Sequence, residues 1–252
     1  MKSKKKRVRE ITDYIKFVFP MLILYILFFI LPLFQTIGYS FTDYNGINPK
    51  KEFTGLTNYF DVFQDKWFYN SMAFTGKSVL LMILQANVLG FLLALALNTK
   101  IRSRNILRAI VFCPFVFNNV TVGFIWQFLL GRFMTDLYPL TGWKVFNIGW
   151  LSDNSLVLYS VVFVKLWQSI GYFMVIYLAG LQLLPQDPLE AAVIDGCTGI
   201  KMIRYITIPL MKPTAFVCIF LAITESLNMF PLIMSLTNGG PGHASENISL
   251  YI

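Results

Sequence analysis

Residues 78–99 read SVLLMILQANVLGFLLALALNT, a run without a single charge. An α-helix rises 1.5 Å per residue, so about 20 such residues cross the roughly 30 Å hydrocarbon core of a bilayer. The run is continuously apolar and does not alternate, which disfavours a strand of a membrane barrel. Working outward, Phe17–Thr42 and Ala109–Gly131 are equally free of charge. A fourth apolar run covers Leu156–Leu181 and is interrupted by Lys165; a fifth covers Pro213–Leu236 and is interrupted by Glu225. The expectation is an all-α polytopic membrane bundle with five transmembrane helices. Pro20 and Pro32 are expected to bend the first helix or mark its ends.

Composition agrees. Only 13% of the 252 residues are charged and 56% are hydrophobic, against about 25% charged in soluble domains; the mean hydropathy is +0.61. So little polar surface cannot clothe a compact water-soluble enzyme. Disorder is excluded by the high hydrophobicity, and a disulfide scaffold by three cysteines. Cys113 and Cys218 fall in spans and Cys197 in a loop, so no extracytoplasmic disulfide is expected. With one histidine, His243, no metal cluster is expected.

The net charge of +8 is distributed in blocks beside the apolar runs, which reads as membrane orientation and not as nucleic-acid binding. Lys2, Lys4, Lys5, Lys6, Arg7, Arg9 and Lys16 precede the first run. Lys100, Arg102, Arg104 and Arg108 link the second and third, and Lys201, Arg204 and Lys212 link the fourth and fifth. These fourteen face five on the opposite loops, namely Lys50, Lys51, Lys66, Arg132 and Lys144. The N-terminus is therefore expected in the cytoplasm. Its apolar stretch is too long for a cleaved signal peptide and reads as a retained helix. The organisation is a basic tail at 1–16 and one membrane domain at 17–252, with a cytoplasmic loop at 183–213. Gly76-Lys77-Ser78 imitates the end of a phosphate-binding loop, but Ser71 stands where the first glycine belongs, so nucleotide binding is not expected there.

The loop Leu183–Pro213 reads LLPQDPLEAAVIDGCTGIKMIRYITIPLMKP. Asp187 is a suitable N-cap, Pro188 suits the first helical position, and Glu190 completes a capping-box spacing. Gly196 is a natural stop. A second short helix is expected over Ile200–Ile206, ended by Pro209. The result is a small acidic helix displayed between two spans. An amphipathic surface helix at the headgroups is the plainer alternative, although such helices usually carry Lys, Trp or Phe on the buried face.

This spacing, Glu190-Ala191-Ala192, three residues, Gly196, nine residues, Ile206 and then Pro209, resembles the EAA loop of permease subunits of binding-protein-dependent ABC importers. Ile208 stands where the family pattern has leucine, and Cys197 where alanine is more usual. Phe53–Asp65, Tyr177–Pro185 and Leu236–Ser245 resemble segments of the carbohydrate, maltose-type branch. The resemblance implies a permease for sugars or oligosaccharides in the bacterial cytoplasmic membrane. It also implies a second, distinct permease chain, two cytoplasmic ATPase subunits that hold ATP and Mg, and an extracytoplasmic solute-binding protein. This chain itself would hold no cofactor. The family usually has a sixth helix after the Gly-Gly-Pro loop, which this sequence does not contain.

For the loop the resemblance implies an ATPase contact at Glu190, close packing at Ala191 and Ala192, and a turn shaped by Asp195 and Gly196, with Ile206 and Pro209 completing the pattern. For the substrate pathway the candidates are Asn118, Asn119, Trp126, Trp167, Tyr172, Glu225 and Asn228, with Thr121 beside the amide pair. Amides suit sugar hydroxyls and aromatic faces suit sugar rings; equally, paired amides join helices and aromatics pack or form interfacial belts. Glu225 inside a span needs either a hydrophilic pathway, shared with Asn228 at i+3, or a partner such as Lys165. Lys165 itself is expected to snorkel to a span end. The competing functions are a secondary transporter, against which no internal repeat is visible, an intramembrane enzyme, for which paired catalytic residues are lacking, and a non-transporting membrane scaffold.

Overall fold

The computed structural model describes residues 15–47, 51–99 and 102–252. The basic tail, as far as residue 14, lies outside them. Contacts divide the chain into two units, Met1–Asp65 and Lys66–Ile252.

The first unit is built on helix α1, Ile15–Tyr39. It widens into a π-turn at Ile26–Ile30, just before Pro32. The wider turn accommodates a proline that would otherwise clash with the carbonyl four residues back. The chain then folds back on the end of this helix. Thr42 bridges Phe53, Asp43 N–H donates to Glu52 O at 3.1 Å, and Thr54 N–H donates to Phe41 O at 2.9 Å. Helix α2, Thr57–Gln64, closes the unit: the Asn58 amide donates to the carbonyls of Ser40 and Thr42. The Lys51 ammonium lies 4.0 Å from the Tyr39 ring centre and 4.7 Å from that of Tyr44.

The second unit is a helix bundle around two long crossings, α3 (Lys66–Leu97) and α6 (Val157–Gln182). The buried residues of α3 include Ser78, Met82, Ala86, Gly90 and Ala94, one turn apart. Four of these five are small, so the two backbones approach closely. A Cβ added at Gly90 would stand 2.9 Å from Phe173 Cβ. Small residues at crossings are a usual basis of helix association in lipid, where no hydrophobic force draws one apolar helix to another. Tyr177 adds a polar tie, its hydroxyl donating to Asn87 Oδ1 at 2.6 Å.

The third and fifth apolar runs are not the single helices expected from sequence. The third is α4 (Arg104–Val116) and α5 (Asn119–Thr141), bent by 93°. Pro114 removes a backbone donor, the chain tightens into a 3₁₀ turn, and Phe117 becomes extended. Asn118 then caps the new helix, its Oδ1 accepting from Val120 N–H at 2.9 Å. In the fifth, α9 (Lys212–Leu227) stops at Asn228 and the chain restarts as α10 (Phe230–Leu236), with Pro231 in its first turn. The sharply bent pairs are Arg104–Val116 with Asn119–Thr141 and Gly199–Leu210 with Lys212–Leu227; counting each as one crossing gives up to five spans among the described residues. Between α10 and the short helix α11 (Ile248–Tyr251), a glycine-rich loop is closed by Ser245, whose hydroxyl donates to Gly240 O and pairs with Thr237.

Two further helices lie between α6 and α9: α7, Gln186–Ile194, and α8, Gly199–Leu210. Asp187 is not the N-cap. Pro185 is, with extended backbone, and Asp187 sits in the first turn, where a negative charge complements the helix dipole. Pro209 does not end the second helix. A π-turn at Ile203–Thr207 absorbs it, and the bend of 70° comes at Met211, before Pro213.

Candidate functional site

Two places carry chemistry. The first is where the broken third crossing meets α6, α9 and α10. Phe115, Phe117, Asn118, Asn119, Lys165, Gln168, Glu225 and Pro231 line a cavity of about 370 Å³. Lys165 does not snorkel. It is 3% exposed and pairs with Glu225 at 2.6 Å, while Glu225 retains 29% exposure. The Lys165 ammonium also donates to Asn119 Oδ1 at 3.4 Å. In a bundle interior a lone charge is costly, so each ion holds the other in place. The break supplies a further acceptor: Phe117 O, outside any helix, takes a hydrogen bond of 2.9 Å from Gln168 Nε2. The other half of that amide, Gln168 Oε1, is buried without a hydrogen-bond partner.

The structure brings Asn118, Asn119 and Glu225 together. It does not bring in the rest. Asn228 is exposed at the end of α9, where its N–H caps the helix on Thr224 O. Trp126 and Trp167 form an edge-to-face pair with centroids 5.4 Å apart. Trp126 also lines a separate, mostly apolar cavity of about 540 Å³ beside Trp150, Tyr159 and Phe163. Tyr172 stacks on Phe115 at 4.6 Å and 2°, so it supports a wall residue of the polar cavity. Gln168 and Phe117 were missed by sequence reasoning. Gln168 had a signal, lying at i+3 from Lys165 on one face of the fourth run.

The second place is α7. Glu190 and Ala191 are exposed and Ala192 is buried, so only the second alanine packs inward. Asp195 closes the helix, Gly196 takes a left-handed φ of 75°, and the Cys197 and Gly196 N–H groups return to Ala192 O and Val193 O at 2.8 and 3.0 Å. That is a Schellman turn, and it gives Gly196 a structural task. Ile206 is half-buried and Pro209 exposed. At the base of the loop, α6 and α9 touch through a small residue: a Cβ at Gly180 would stand 2.6 Å from Thr214 Oγ1 and 2.8 Å from Met211 Cε. Among the described residues, no group of three or more His, Cys, Asp or Glu could hold a metal ion.

A bundle of crossings, two of them broken around a buried ion pair, with a short helix displayed on a loop between two crossings, is the architecture of a multi-pass transport subunit. The chain matches the family of binding-protein-dependent transport system inner membrane components over residues 86–250, and it belongs to that family. It is therefore a permease subunit and not an enzyme. The probable starch degradation products transport system permease protein AmyD of Thermoanaerobacterium thermosulfurigenes is 35% identical, over 100% of this chain and 86% of the relative. The trehalose/maltose transport system permease protein MalF of Thermococcus litoralis is 32% identical, over 92% of this chain and 79% of the relative. A crystal structure of a bacterial ABC transporter that imports the acidic polysaccharide alginate has the same fold, with a TM-score of 0.79 at 22% identity, covering 100% of this chain and 86% of that one.

Proposed function

We propose that this chain is the permease subunit of an ATP-driven importer for sugars or oligosaccharides. Its helix α7 docks on a cytoplasmic ATPase subunit. The names of the relatives support the sugar reading, since AmyD and MalF are described as permeases for starch degradation products and for trehalose and maltose. The complex would hold a second permease chain, two ATPase subunits with their ATP and Mg, and a solute-binding protein outside. The membrane would be the bacterial cytoplasmic membrane, with the N-terminus in the cytoplasm.

The observation that carries the coupling reading is the placement of α7. It lies between α6 and α9 and presents Glu190 outward on a helix whose Ala192 face is buried. Closure of the ATPase pair would move α7 and, through the close contact at Gly180, the ends of α6 and α9 with it. Both helices line the cavity that holds Lys165 and Glu225, so motion at the loop would reach the pathway. Asn118, Asn119, Gln168 and Glu225, which line that cavity, would meet sugar hydroxyls there.

The test is co-purification of the cytoplasmic ATPase with this chain, wild type against Glu190→Arg. Glu190 is exposed, so charge reversal leaves the bundle intact. Retention by wild type and loss in the variant is the expected result; equal retention by both would remove Glu190 from the coupling contact.

A further inference from the structure

The polar cavity at the break of the third crossing contains a cation that is already neutralised. We propose that Glu225 is a specificity residue: by cancelling Lys165 it tunes the pathway for uncharged saccharides and against acidic ones such as uronates. This rests on the sugar reading given above and refines it.

The argument is one of charge and hydrogen-bond supply. Lys165 is buried and faces two acceptors of its own chain, Glu225 at 2.6 Å and Asn119 Oδ1 at 3.4 Å. Glu225 keeps about ten times the exposure of its partner, so the cavity meets the carboxylate more than the ammonium. Gln168 turns its N–H to Phe117 O and leaves Oε1 buried and unpartnered at the cavity wall. Asn118 uses its own oxygen to cap α5. The oxygens of Asn118 and Asn119 are thus engaged and their amide N–H groups remain as donors, beside the acceptors of Glu225 and Gln168. Sugar hydroxyls both donate and accept, and so match this mixed, uncharged set. A carboxylate brings only acceptors and meets the like charge of Glu225, which is repulsive at contact. Phe115 and Phe117 add apolar surface on the same wall, suited to a ring face.

The experiment is equilibrium binding to the assembled permease–ATPase complex, in detergent and without the solute-binding protein, so that the protein's own external selector cannot set the outcome. The probes are maltose and the matching glucuronosyl-glucose. Wild type is expected to bind maltose in preference. In Glu225→Gln, Lys165 loses its counter-ion, and the uronate-to-maltose ratio should rise by about tenfold or more, the scale of one poorly screened charge at contact. Should that variant fail to assemble, Lys165→Gln reads the same idea with the opposite sign, leaving Glu225 unbalanced and depressing the ratio further. A ratio unchanged from wild type in the assembled variant, with maltose still bound, overturns the charge filter and leaves the sugar pathway standing. Binding of neither probe to wild type overturns both.

Discussion

Helix α3 and the third crossing start from similar sequence and end differently. Both are built on long charge-free apolar runs, residues 78–99 and 109–131. The first runs unbroken through 32 residues; the second turns through 93° at the segment between Val116 and Asn119. The difference lies in few residues. In α3 a small or slender side chain recurs every fourth position, so the helix can lie against α6 along its length. In the third crossing Pro114 removes a donor, Phe117 extends, and Asn118 starts a new helix. Backbone groups freed at membrane depth must find partners, and Gln168 provides one for Phe117 O. The unbroken helix holds the bundle together, while the broken one opens a polar cavity within it.

That division can be tested by substitution. The largest expected effect on stability is at the cavity. Glu225→Leu should lower the stability of the purified complex by about 3 kcal/mol, at the low end for breaking a buried pair because Glu225 is partly exposed. Adding Lys165→Met should recover most of the loss, since a well-packed apolar pair often replaces a buried ion pair at no net cost. Thermal unfolding in detergent reads both, and an equal loss in single and double variants would show that the ion pair is not what couples the two sites. Next comes the scaffold. Gly90→Val forces a methyl-bearing carbon against Phe173 and should cost about 1–3 kcal/mol by overpacking. Gly76→Val in the same helix meets nothing within 4 Å and should cost far less. If the two are equally harmful, close approach of α3 and α6 is not the reason for glycine at position 90. Smaller still is Asn118→Ala, which removes the cap of α5 at a cost of about 1 kcal/mol. Local hydrogen exchange at Val120–Gly123 should rise, whereas α3 should be unaffected.

How much of this was legible in the sequence differs between the same two regions. The crossings themselves were readable, because insertion into lipid demands long charge-free runs and a single sequence displays them. The small acidic helix of the loop was readable from its spacing and its stop at Gly196. Its first residue was not: Asp187 looked like the cap, but Pro185 already had the extended backbone a cap requires, and the helix began there. Pro209 looked like a terminator, yet a π-turn let the chain pass it. The amides at 118 and 119 were visible as an interruption, though not as a turn of the chain. What stayed hidden was which face of α6 turns inward. Gln168 and Lys165 share a side of that helix in any reading, but only the crossing geometry decides whether that side meets lipid or a cavity. The same limit scattered the aromatic candidates, leaving Trp126 and Trp167 paired with each other and Tyr172 behind Phe115.

The stripe on α3 has a consequence for how this protein can vary. Ser78, Met82, Ala86, Gly90 and Ala94 are buried, while Leu80, Leu84, Val88 and Leu92 face outward at the same spacing. The outward set answers only to the solvent, and for lipid one aliphatic side chain is nearly as good as another. The inward set answers to a neighbouring backbone. Considered as a message, the helix therefore writes its meaning on one face and repeats a single undemanding word on the other. Drift over generations should accordingly rewrite the outer face freely and leave the inner stripe small.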